Sequence, residues 1–528
     1  MASAFGSLCR KAISFAMSTD LHGILRKYWG YGEFRPLQGR IVQSLIAGHD
    51  IAVVMPTGGG KSLCYQLPAV VSGKTAIVVS PLIALMQDQA AQLEEMGIPA
   101  AALNSQISWA EQQKVMRRAQ DGAYRLLYVS PERLLREDFV EFLGRVPVAF
   151  FAIDEAHCIS EWGHEFRPEY RQLSRLRKLF PDNPIAAFTA SATKRVRHDI
   201  LHQLGLREPH KYIASFHRSN LNYQVKQCQP KTQDQHLLAA LEAYAGSTMI
   251  IYAPTIVRVG ETVDFLAKHG FDAVGYHGKM ENSERSRNQE RWMSDEVRIL
   301  VGTIAFGLGI NKPSVRAVIH LSLPKSLEQY YQEAGRAGRD GEPADCAVLW
   351  QSRDIGLLAY FIQQMQDPVE QERGWQAYHV MRRFAEGGQC RHRQICLHFG
   401  ETPKFENCGA CDVCSGELDW MEAQPSRPFP RRKALATAPV AAPTPKPRRA
   451  TISQSDTALV KHMREWRRRF ARQRGVPAFM ILTDASLTDL CRREPSTFDE
   501  LLEVSGIGEK KAQSFGAELL RALNEFER

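Results

Sequence analysis

The segment at residues 55–62, Met-Pro-Thr-Gly-Gly-Gly-Lys-Ser, has the composition of a phosphate-binding loop. Its three glycines let backbone N–H groups close around phosphate oxygens, and a helix that begins at the lysine adds its positive end. The lysine would reach the β- and γ-phosphates, and the serine would hold Mg²⁺. A glycine-rich turn alone is common, and Met55 stands where the general pattern has glycine. The predicted nucleotide-binding residues here are Thr57, Gly58, Gly59, Gly60, Lys61 and Ser62.

Two adjacent carboxylates, Asp154 and Glu155, follow the apolar run at residues 148–153. Ligands of open α/β sheets bind beyond the carboxyl ends of the strands, so this pair is expected beside the glycine loop. There Asp154 would position Mg²⁺ and Glu155 would polarise the attacking water. In isolation such a tetrapeptide could be a solvated acidic loop, and the glycine loop makes a hydrolytic site the better interpretation.

Arg336 and Arg339 lie three residues apart and therefore share one helical face. Guanidinium groups that reach a γ-phosphate across a cleft stabilise the charge of the transition state, an effect of about 10³–10⁵ in rate. The alternative is a surface helix whose arginines form salt bridges. We expect these arginines to complete a catalytic set with Lys61, Asp154 and Glu155.

Cys390, Cys408, Cys411 and Cys414 form a dense cluster among the eleven cysteines of the chain. Four thiolates at this spacing predict a closed, tetrahedral structural zinc site with no open position for catalysis. Cys396 is left over and is expected to be a packed or free thiol. The alternative is that all five are reduced core cysteines. An odd count with one cluster fits a reducing compartment better than a disulfide framework.

Short apolar, β-branched runs alternate with helical patterns from about residue 50 to residue 350. Runs that are apolar on both faces predict parallel sheets covered by helices on both sides. Two such sets, divided near residues 205–220, predict two α/β domains. The first set is 51–55, 75–79, 125–129, 148–153 and 185–188. The second set is 249–252, 273–276, 299–301, 315–320 and 347–350.

The 528 residues, 44% hydrophobic and 24% charged, are enough for two to four domains. No apolar run approaches the ~18–20 residues that span a bilayer, so we expect no membrane partner. Of the net charge of +9, residues 424–450 carry +7 together with seven prolines, which predicts a linker. The predicted division is an extension (1–17), two α/β domains (18–215 and 216–350), a zinc-binding subdomain (351–416), the linker (417–455) and a helical module (456–528).

These motifs, in this order, resemble those of the RecQ family of ATP-dependent DNA helicases over about residues 20–416 and again over 456–528. Residues 31–38, YGEFRPLQ, resemble the family's adenine-reading motif, and residues 80–89, SPLIALMQDQ, resemble motif Ia. Residues 159–170, ISEWGHEFRPEY, resemble its aromatic-rich loop, residues 303–313 motif V and residues 332–340 motif VI. The resemblance implies two tandem RecA-like domains, a helical zinc subdomain and an all-α, HRDC-like C-terminal module.

The resemblance also implies roles in nucleotide binding for three residues of the first motif. The Gln38 amide would pair with adenine, Tyr31 would offer a face to the base, and Arg35 would contact phosphate.

For DNA, the resemblance implies contact by Trp162, Phe166 and Arg167, which combine stacking surface with charge. The loop that carries them would couple DNA contact to ATP hydrolysis. Without the resemblance, ordinary core packing would be the preferred interpretation of Trp162 and Phe166.

The sequence departs from the family pattern in three places. Motif III reads Thr-Ala-Ser at residues 189–191, which keeps the hydroxyl group. The turn after residues 249–252 lacks its usual arginine, for which Arg258 is a candidate substitute. No winged-helix domain fits between Cys414 and residue 456, which leaves the means of strand separation open.

The C-terminal module has seven basic residues against one acid between residues 461 and 474, and a Ser-Gly-Ile-Gly turn at 505–508. Both features suit contact with DNA phosphates. A solvated helix face, or a protein-binding module, is the alternative.

The resulting hypothesis is an ATP-dependent DNA helicase that unwinds duplex or branched DNA. By resemblance it translocates 3′ to 5′ on single strands and acts in DNA repair and recombination. The expected cofactors are ATP, Mg²⁺ and Zn²⁺, and the expected partners are single-stranded and branched DNA, with single-strand-binding or recombination proteins as further candidates. The expected location is cytoplasmic and nucleoid-associated in a bacterium, or nuclear in a eukaryote. The alternatives are a single-strand translocase or annealing factor without strong unwinding, and a nucleotide-gated DNA-binding scaffold.

Overall fold

The structure is a computed structural model and describes residues 20–104, 107–163, 165–303, 312–422, 454–474, 476 and 478–526. The predicted extension at residues 1–17, residues 304–311 of the motif V segment and residues 423–453 of the predicted linker lie outside the described residues.

The first lobe is built on a fully parallel sheet because its central strands are apolar on both faces. Its strands are β1 (Ile51–Val54), β2 (Thr75–Val79), β3 (Ala100–Leu103), β4 (Leu126–Val129), β5 (Val148–Ile153), β6 (Ile185–Thr189) and β7 (His210–Ile213). They lie in the order β3-β4-β2-β5-β6-β1-β7, and every neighbouring pair is parallel. All five residues of β2 and of β6 are buried, so helices must cover both faces.

The helices of the first lobe begin with a short N-terminal pair that precedes β1. They are α1 (Leu21–Trp29), α2 (Gln38–Ile46), α3 (Lys61–Ser72), α4 (Ile83–Glu95), α5 (Trp109–Gln120), α6 (Pro131–Leu134), α7 (Glu137–Leu143), α8 (Pro168–Arg171), α9 (Leu176–Leu179) and α10 (Lys194–Gln203). Two 3₁₀ turns lie at Ala156–Ile159 and Gln172–Arg175.

The second lobe repeats this plan with six parallel strands. They are β8 (Leu221–Gln227), β9 (Thr248–Tyr252), β10 (Ala273–Tyr276), β11 (Ile299–Gly302), β12 (Val315–His320) and β13 (Ala344–Trp350), in the order β10-β11-β9-β12-β13-β8. Its helices are α11 (Pro230–Ala243), α12 (Ile256–Lys268), α13 (Asn282–Met293) and α14 (Leu327–Ala334).

The zinc subdomain is helical and is attached to the second lobe. It contains α15 (Ser352–Gln363), α16 (Pro368–Glu386), α17 (Arg391–His398) and α18 (Asp412–Ser415). A further turn, α19 (Asp419–Glu422), buries Trp420 and Met421 in the core of the second lobe. Residues 417–422, at the start of the predicted linker, therefore pack on folded structure.

The C-terminal module is all-α and has its own hydrophobic core, which includes Met463, Leu487 and Leu519. Its helices are α20 (Gln454–Arg474), α21 (Ala478–Ile481), α22 (Asp484–Arg493), α23 (Phe498–Leu502) and α24 (Glu509–Asn524). The predicted fold class is confirmed: two parallel α/β lobes, a helical zinc subdomain and a small all-α module.

The strand order determines which loops can act together. Strands β2, β5, β6 and β1 are consecutive in the first sheet and parallel, so their carboxyl ends meet at one edge. The segments that follow them contain motif Ia, the acidic pair, motif III and the glycine loop, respectively. Ligands of open α/β sheets bind at such an edge.

The described helices include none with both the length and the apolar composition needed to cross a membrane.

Candidate active site

The phosphate loop follows β1 and is shaped by two glycines in the left-handed region. Gly58 and Gly60 both have φ of +81°, which residues with side chains rarely adopt. A Cβ at Gly60 would lie 2.3 Å from Nε2 of Gln38, so space also requires glycine there. The loop leads into α3, whose first residue, Lys61, donates from Nζ to the carbonyl of Met55 at 3.0 Å. Burial lowers the pKa of Lys61.

The adenine-reading segment is bonded directly to this loop. The Gln38 side chain accepts from the Arg35 N–H at 2.8 Å and donates to the Gly60 carbonyl at 3.2 Å. Arg35 donates from Nη1 to the Gly58 carbonyl at 2.6 Å. Tyr31 is 41% exposed and offers its ring to solvent. Pairing of the Gln38 amide with adenine therefore requires exchange of its bonds to the loop.

Asp154 and Glu155 follow β5 and interact electrostatically with Lys61. Burial, together with the charge of Glu155, raises the pKa of Asp154 to about 7. Glu155 has φ of +47°, a left-handed conformation that costs about 1–3 kcal/mol for a residue with a side chain. A buried carboxylate beside a second carboxylate suits a hard divalent cation with oxygen ligands. Ser62, the second residue of α3, carries a hydroxyl group that hydrogen-bonds to Tyr65.

His157 joins the acidic pair to motif III. Its Nδ1 lies 3.0 Å from Oγ1 of Thr189 and 3.2 Å from Oε2 of Glu155. Two residues after Thr189, Oγ of Ser191 accepts a hydrogen bond from Nε2 of Gln332 at 3.0 Å. The serine in motif III thus keeps a hydroxyl that contacts the second lobe.

Arg336 and Arg339 lie in the turns that follow α14, not on the helical face that their spacing predicted, and Arg339 lies against the first lobe. The Cα of Arg339 lies 3.4 Å from the position of a Cβ built on Gly58. Arg336 is 6% exposed and hydrogen-bonds to Tyr252. Burial, followed by the charges of Arg336 and Arg218, lowers the pKa of Arg339 to about 9. The structure thus places the predicted arginine pair and phosphate loop on opposite sides of one cleft.

Arg218, which the sequence reasoning did not identify, bridges this cleft. Its Nη1 donates to the carbonyl of Thr57 in the phosphate loop at 2.9 Å. Its Nη2 donates to the carbonyls of Ala337 and Gly338, between the two predicted arginines, at 3.3 and 3.0 Å. The sequence signal for it is a polar stretch, His-Arg-Ser-Asn at 217–220, at the end of the region where the two strand sets divide.

The aromatic loop, residues 159–170, leaves the active site shortly after the acidic pair, Asp154 and Glu155. Arg195 and Arg373 lie over the ring of Trp162, with guanidinium carbons 3.0 and 4.2 Å from the ring centroid. Phe166 is half-buried with Arg171 above it, and Arg167 donates to the Pro81 carbonyl at 3.5 Å. His164 of this loop lies outside the described residues.

The four predicted zinc ligands converge. The sulfur atoms of Cys390, Cys408, Cys411 and Cys414 all lie within 4.8 Å of one another. Zn–S bonds of about 2.3 Å in a tetrahedron separate the sulfurs by just under 4 Å, so the cluster fits the ion. Cys396 is buried outside the cluster, and burial raises its pKa to about 12.

The C-terminal module contacts both lobes in this structure. The Gly506 N–H of the predicted phosphate-binding turn donates to the Gly30 carbonyl at 3.1 Å. Arg467, one of the seven basic residues, is buried and pairs with Asp484 at 2.7 Å and with Asp295 of the second lobe at 3.9 Å. These two elements therefore contact protein here, whereas Arg469 and Arg472 on the same helix are exposed.

Arg258, the candidate substitute for the arginine missing from the turn after residues 249–252, forms ion pairs within the second lobe. Its Nη2 donates to Asp234 at 2.8 Å, and its Nη1 lies 3.6 Å from Glu261.

Family models match successive parts of the chain. They describe a DEAD/DEAH box helicase at residues 35–200 and a helicase conserved C-terminal domain at 232–341. A RecQ zinc-binding model matches 352–415, and an HRDC domain model matches 456–523. The "ATP-dependent DNA helicase RecQ" of Pasteurella multocida is 32% identical, over 95% of this chain and 93% of that protein. The chain belongs to the RecQ family of ATP-dependent DNA helicases.

Other RecQ relatives give the same result. The Bacillus subtilis "ATP-dependent DNA helicase RecQ" is 32% identical over 96% of this chain and 98% of its own length. Among solved structures, the DUF1998 helicase MrfA bound to DNA superimposes with a TM-score of 0.53 at 21% identity, covering 63% of this chain and 51% of that one. The structural likeness concerns the fold. The predictions of family, helicase activity, ATP use and a zinc site are confirmed.

Proposed function

We propose that this RecQ-family chain hydrolyses ATP between its two lobes. The resulting opening and closing of the lobes would move the protein 3′ to 5′ along single-stranded DNA. This movement would unwind duplex or branched DNA in repair and recombination. The observation that carries this proposal is the contact of the second-lobe arginines with the phosphate loop. Arg339 lies against Gly58, and Arg218 bonds to both sides of the cleft. A γ-phosphate bound at Lys61 would complete the contact between the lobes.

Each predicted active-site residue has a proposed task in this cycle. Lys61 binds the β- and γ-phosphates, which replace its bond to the Met55 carbonyl. Glu155 orients the attacking water, and Arg336 and Arg339 stabilise charge on the transferred phosphate. Asp154 and Ser62 would hold Mg²⁺, which would neutralise charge on the phosphates.

We propose the following domain boundaries: first lobe at 18–215, second lobe at 216–350, zinc subdomain at 351–416, linker at 417–455 and HRDC-like module at 456–528. Hydrogen bonds of Arg218 and Asn220, at the junction of the lobes, support the first boundary. Single-strand-binding or recombination proteins are proposed partners. The proposed location is the nucleoid of a bacterium or the nucleus of a eukaryote.

A DNA-stimulated ATPase assay tests the nucleotide site. We expect single-stranded DNA to stimulate hydrolysis by the wild type and Lys61→Ala to abolish it. Lys74→Ala, at an exposed lysine just after the same helix, is the matched control and should keep wild-type turnover. Hydrolysis that is insensitive to both DNA and Lys61→Ala would contradict the assignment.

A forked duplex tests whether translocation opens base pairs. The sequence between Cys414 and residue 456 is too short for a winged-helix domain, which favours a second candidate: a single-strand translocase or annealing factor. Unwinding of a fork with a 3′ tail, but not with a 5′ tail, is the expected result for a 3′-to-5′ helicase. DNA-stimulated hydrolysis without unwinding of either fork would favour the second candidate.

The basic face of α20 is proposed as an additional DNA contact. A double substitution, Arg469→Gln with Arg472→Gln, should weaken single-strand binding and lower the slope of log affinity against log salt by up to about 1.4. Arg492 and Arg493, which pair with Asp489, provide a matched double control. Equal effects of the two double substitutions would count against a specific role for α20.

A further inference from the structure

Arg373 of helix α16, in the zinc subdomain, holds the aromatic loop of the first lobe by three contacts. Its guanidinium lies 4.2 Å from the centre of the Trp162 ring. Its Nη1 donates to the Glu161 carbonyl at 3.0 Å, and its Nη2 donates to Oε2 of Glu161 at 3.1 Å. The residues that meet are more than 200 positions apart in the chain. We call this set of contacts the loop latch.

The loop latch covers the Trp162 ring that single-stranded DNA would use. Arg195 lies over the same ring at 3.0 Å. Both guanidinium groups therefore lie within 4.2 Å of the ring centre, in the space that a stacked base would need. A nucleobase can stack on Trp162 only if one of them withdraws.

The loop latch also joins parts of the molecule that must move relative to each other. Helix α16 packs on the second lobe, where the rings of Phe384 and Tyr330 lie 5.4 Å apart. The aromatic loop belongs to the first lobe and is tied to the predicted Mg²⁺-binding residue, because the Tyr170 hydroxyl donates to the Asp154 carbonyl at 3.0 Å. Movement of the loop is therefore transmitted to the hydrolytic site over a short, buried path.

We propose that Arg373 is a positioning residue that holds the aromatic loop in a DNA-free, weakly hydrolysing state and releases it when single-stranded DNA binds. DNA competes for both halves of the contact: phosphates attract the guanidinium group, and bases take its place on the indole face. Only the released loop binds DNA by stacking, so the latched fraction of molecules reduces the apparent DNA affinity. This inference rests on the proposed function, because it assumes that DNA stimulates hydrolysis.

The test compares ATPase activity across DNA concentrations for the wild type, Arg373→Gln, Arg373→Lys and Arg382→Gln. Arg382 lies on the same helix and contacts Glu386 and Tyr378, both within that helix, so it is the matched control. For Arg373→Gln we expect a several-fold higher DNA-free rate and a half-saturating DNA concentration lower by about tenfold, with an unchanged maximal rate. Arg373→Lys should resemble Arg373→Gln, because an ammonium group cannot stack on the indole and bond to Glu161 in the same way.

A second readout follows the Trp162 ring itself. The contribution of Trp162 to the fluorescence is obtained as the difference between a protein and its Trp162→Phe counterpart. Acrylamide should quench this contribution more strongly in Arg373→Gln than in the wild type, and equally in Arg382→Gln and the wild type. A melting temperature equal to that of the control would show that the change is local.

Three outcomes would overturn the proposal. An Arg373→Gln variant that matches Arg382→Gln in DNA-free rate and DNA dependence would show that the loop latch restrains nothing. A higher half-saturating DNA concentration would make Arg373 a simple phosphate contact. A uniform loss of activity with a lower melting temperature would make its role structural. Failure of the proposed function is distinct, since the wild type itself would then show no stimulation by DNA.

Discussion

Arg218 offers the sharpest test of how the lobes are held together for hydrolysis. Its guanidinium group donates to the carbonyl of Thr57 on one side of the cleft and to the carbonyls of Ala337 and Gly338 on the other. Lysine in its place keeps the charge but cannot present donors to both sides at once. A hydrogen bond from a charged donor contributes about 1.5–3 kcal/mol, and the freed carbonyls regain water when the lobes part, so the lower value applies. Loss of the bond across the cleft therefore lowers the equilibrium constant for closure of the lobes by about tenfold.

The assay is steady-state ATP hydrolysis at saturating single-stranded DNA. We expect Arg218→Lys to lower kcat by about tenfold, since fewer molecules reach the closed state in which the second-lobe arginines meet the phosphate. Nucleotide contacts within the first lobe are intact, so ATP binding to the open state should be retained. A kcat within twofold of the wild type would refute the bridging role.

The matched control is Arg177→Lys. Arg177 also donates to three carbonyls, of Pro181, Asn183 and Gly205, and pairs with Asp50, but all of these lie within the first lobe. This variant should lower the melting temperature and leave kcat unchanged. If both variants lowered kcat equally, the effect would reflect stability rather than closure.

Three further predictions concern the metal sites and the phosphate loop. Burial and the charge of Glu155 raise the pKa of Asp154 to about 7, so lowering the pH from about 8 to about 6 should protonate this carboxylate. The Mg²⁺ concentration needed for half-maximal hydrolysis should then rise. A half-maximal Mg²⁺ concentration that does not change with pH would contradict this. Cys411→Ser should remove bound zinc in a chelator-release assay, whereas Cys396→Ser should retain one zinc per chain. Gly60→Ala should abolish nucleotide binding in a fluorescent-nucleotide titration, since its φ of +81° and the close glutamine amide exclude a methyl group.

The sequence predicted the elements that carry catalysis because their strands are strongly apolar. Strands such as β2 and β5 are buried on both faces, and the glycine loop and acidic pair follow such strands directly. Three strands were missed. Ala100–Leu103 is three alanines and a leucine, without β-branched residues, and His210–Ile213 and Leu221–Gln227 are edge strands with polar residues. A strand at the edge of a sheet is less buried than a central strand. Its sequence therefore need not show the continuous apolar run by which a central strand is predicted.

The residues that join the lobes could not be predicted, for a different reason. The bond from Arg218 to Thr57 spans 161 positions and that from Arg373 to Glu161 spans 212, and no local periodicity encodes such pairs. Arg467 shows the converse, since a concentrated basic run predicts a solvated or DNA-binding face, yet this arginine is buried in an ion pair. A run of basic residues indicates a helix with a charged surface. Only the packing of the folded module determines which of these side chains are exposed and which are buried in ion pairs.

A repulsion between cations of the two lobes accounts for the separation that we propose after hydrolysis. Burial lowers the pKa of Lys61 in the first lobe, and the charge of Arg339 in the second lobe lowers it further, because the two cations repel each other in the closed form. Bound triphosphate supplies negative charge at this point and would turn the repulsion into attraction between the lobes. Loss of the γ-phosphate removes part of that charge while both cations remain. We therefore propose that product release and lobe opening respond to the same electrostatic change.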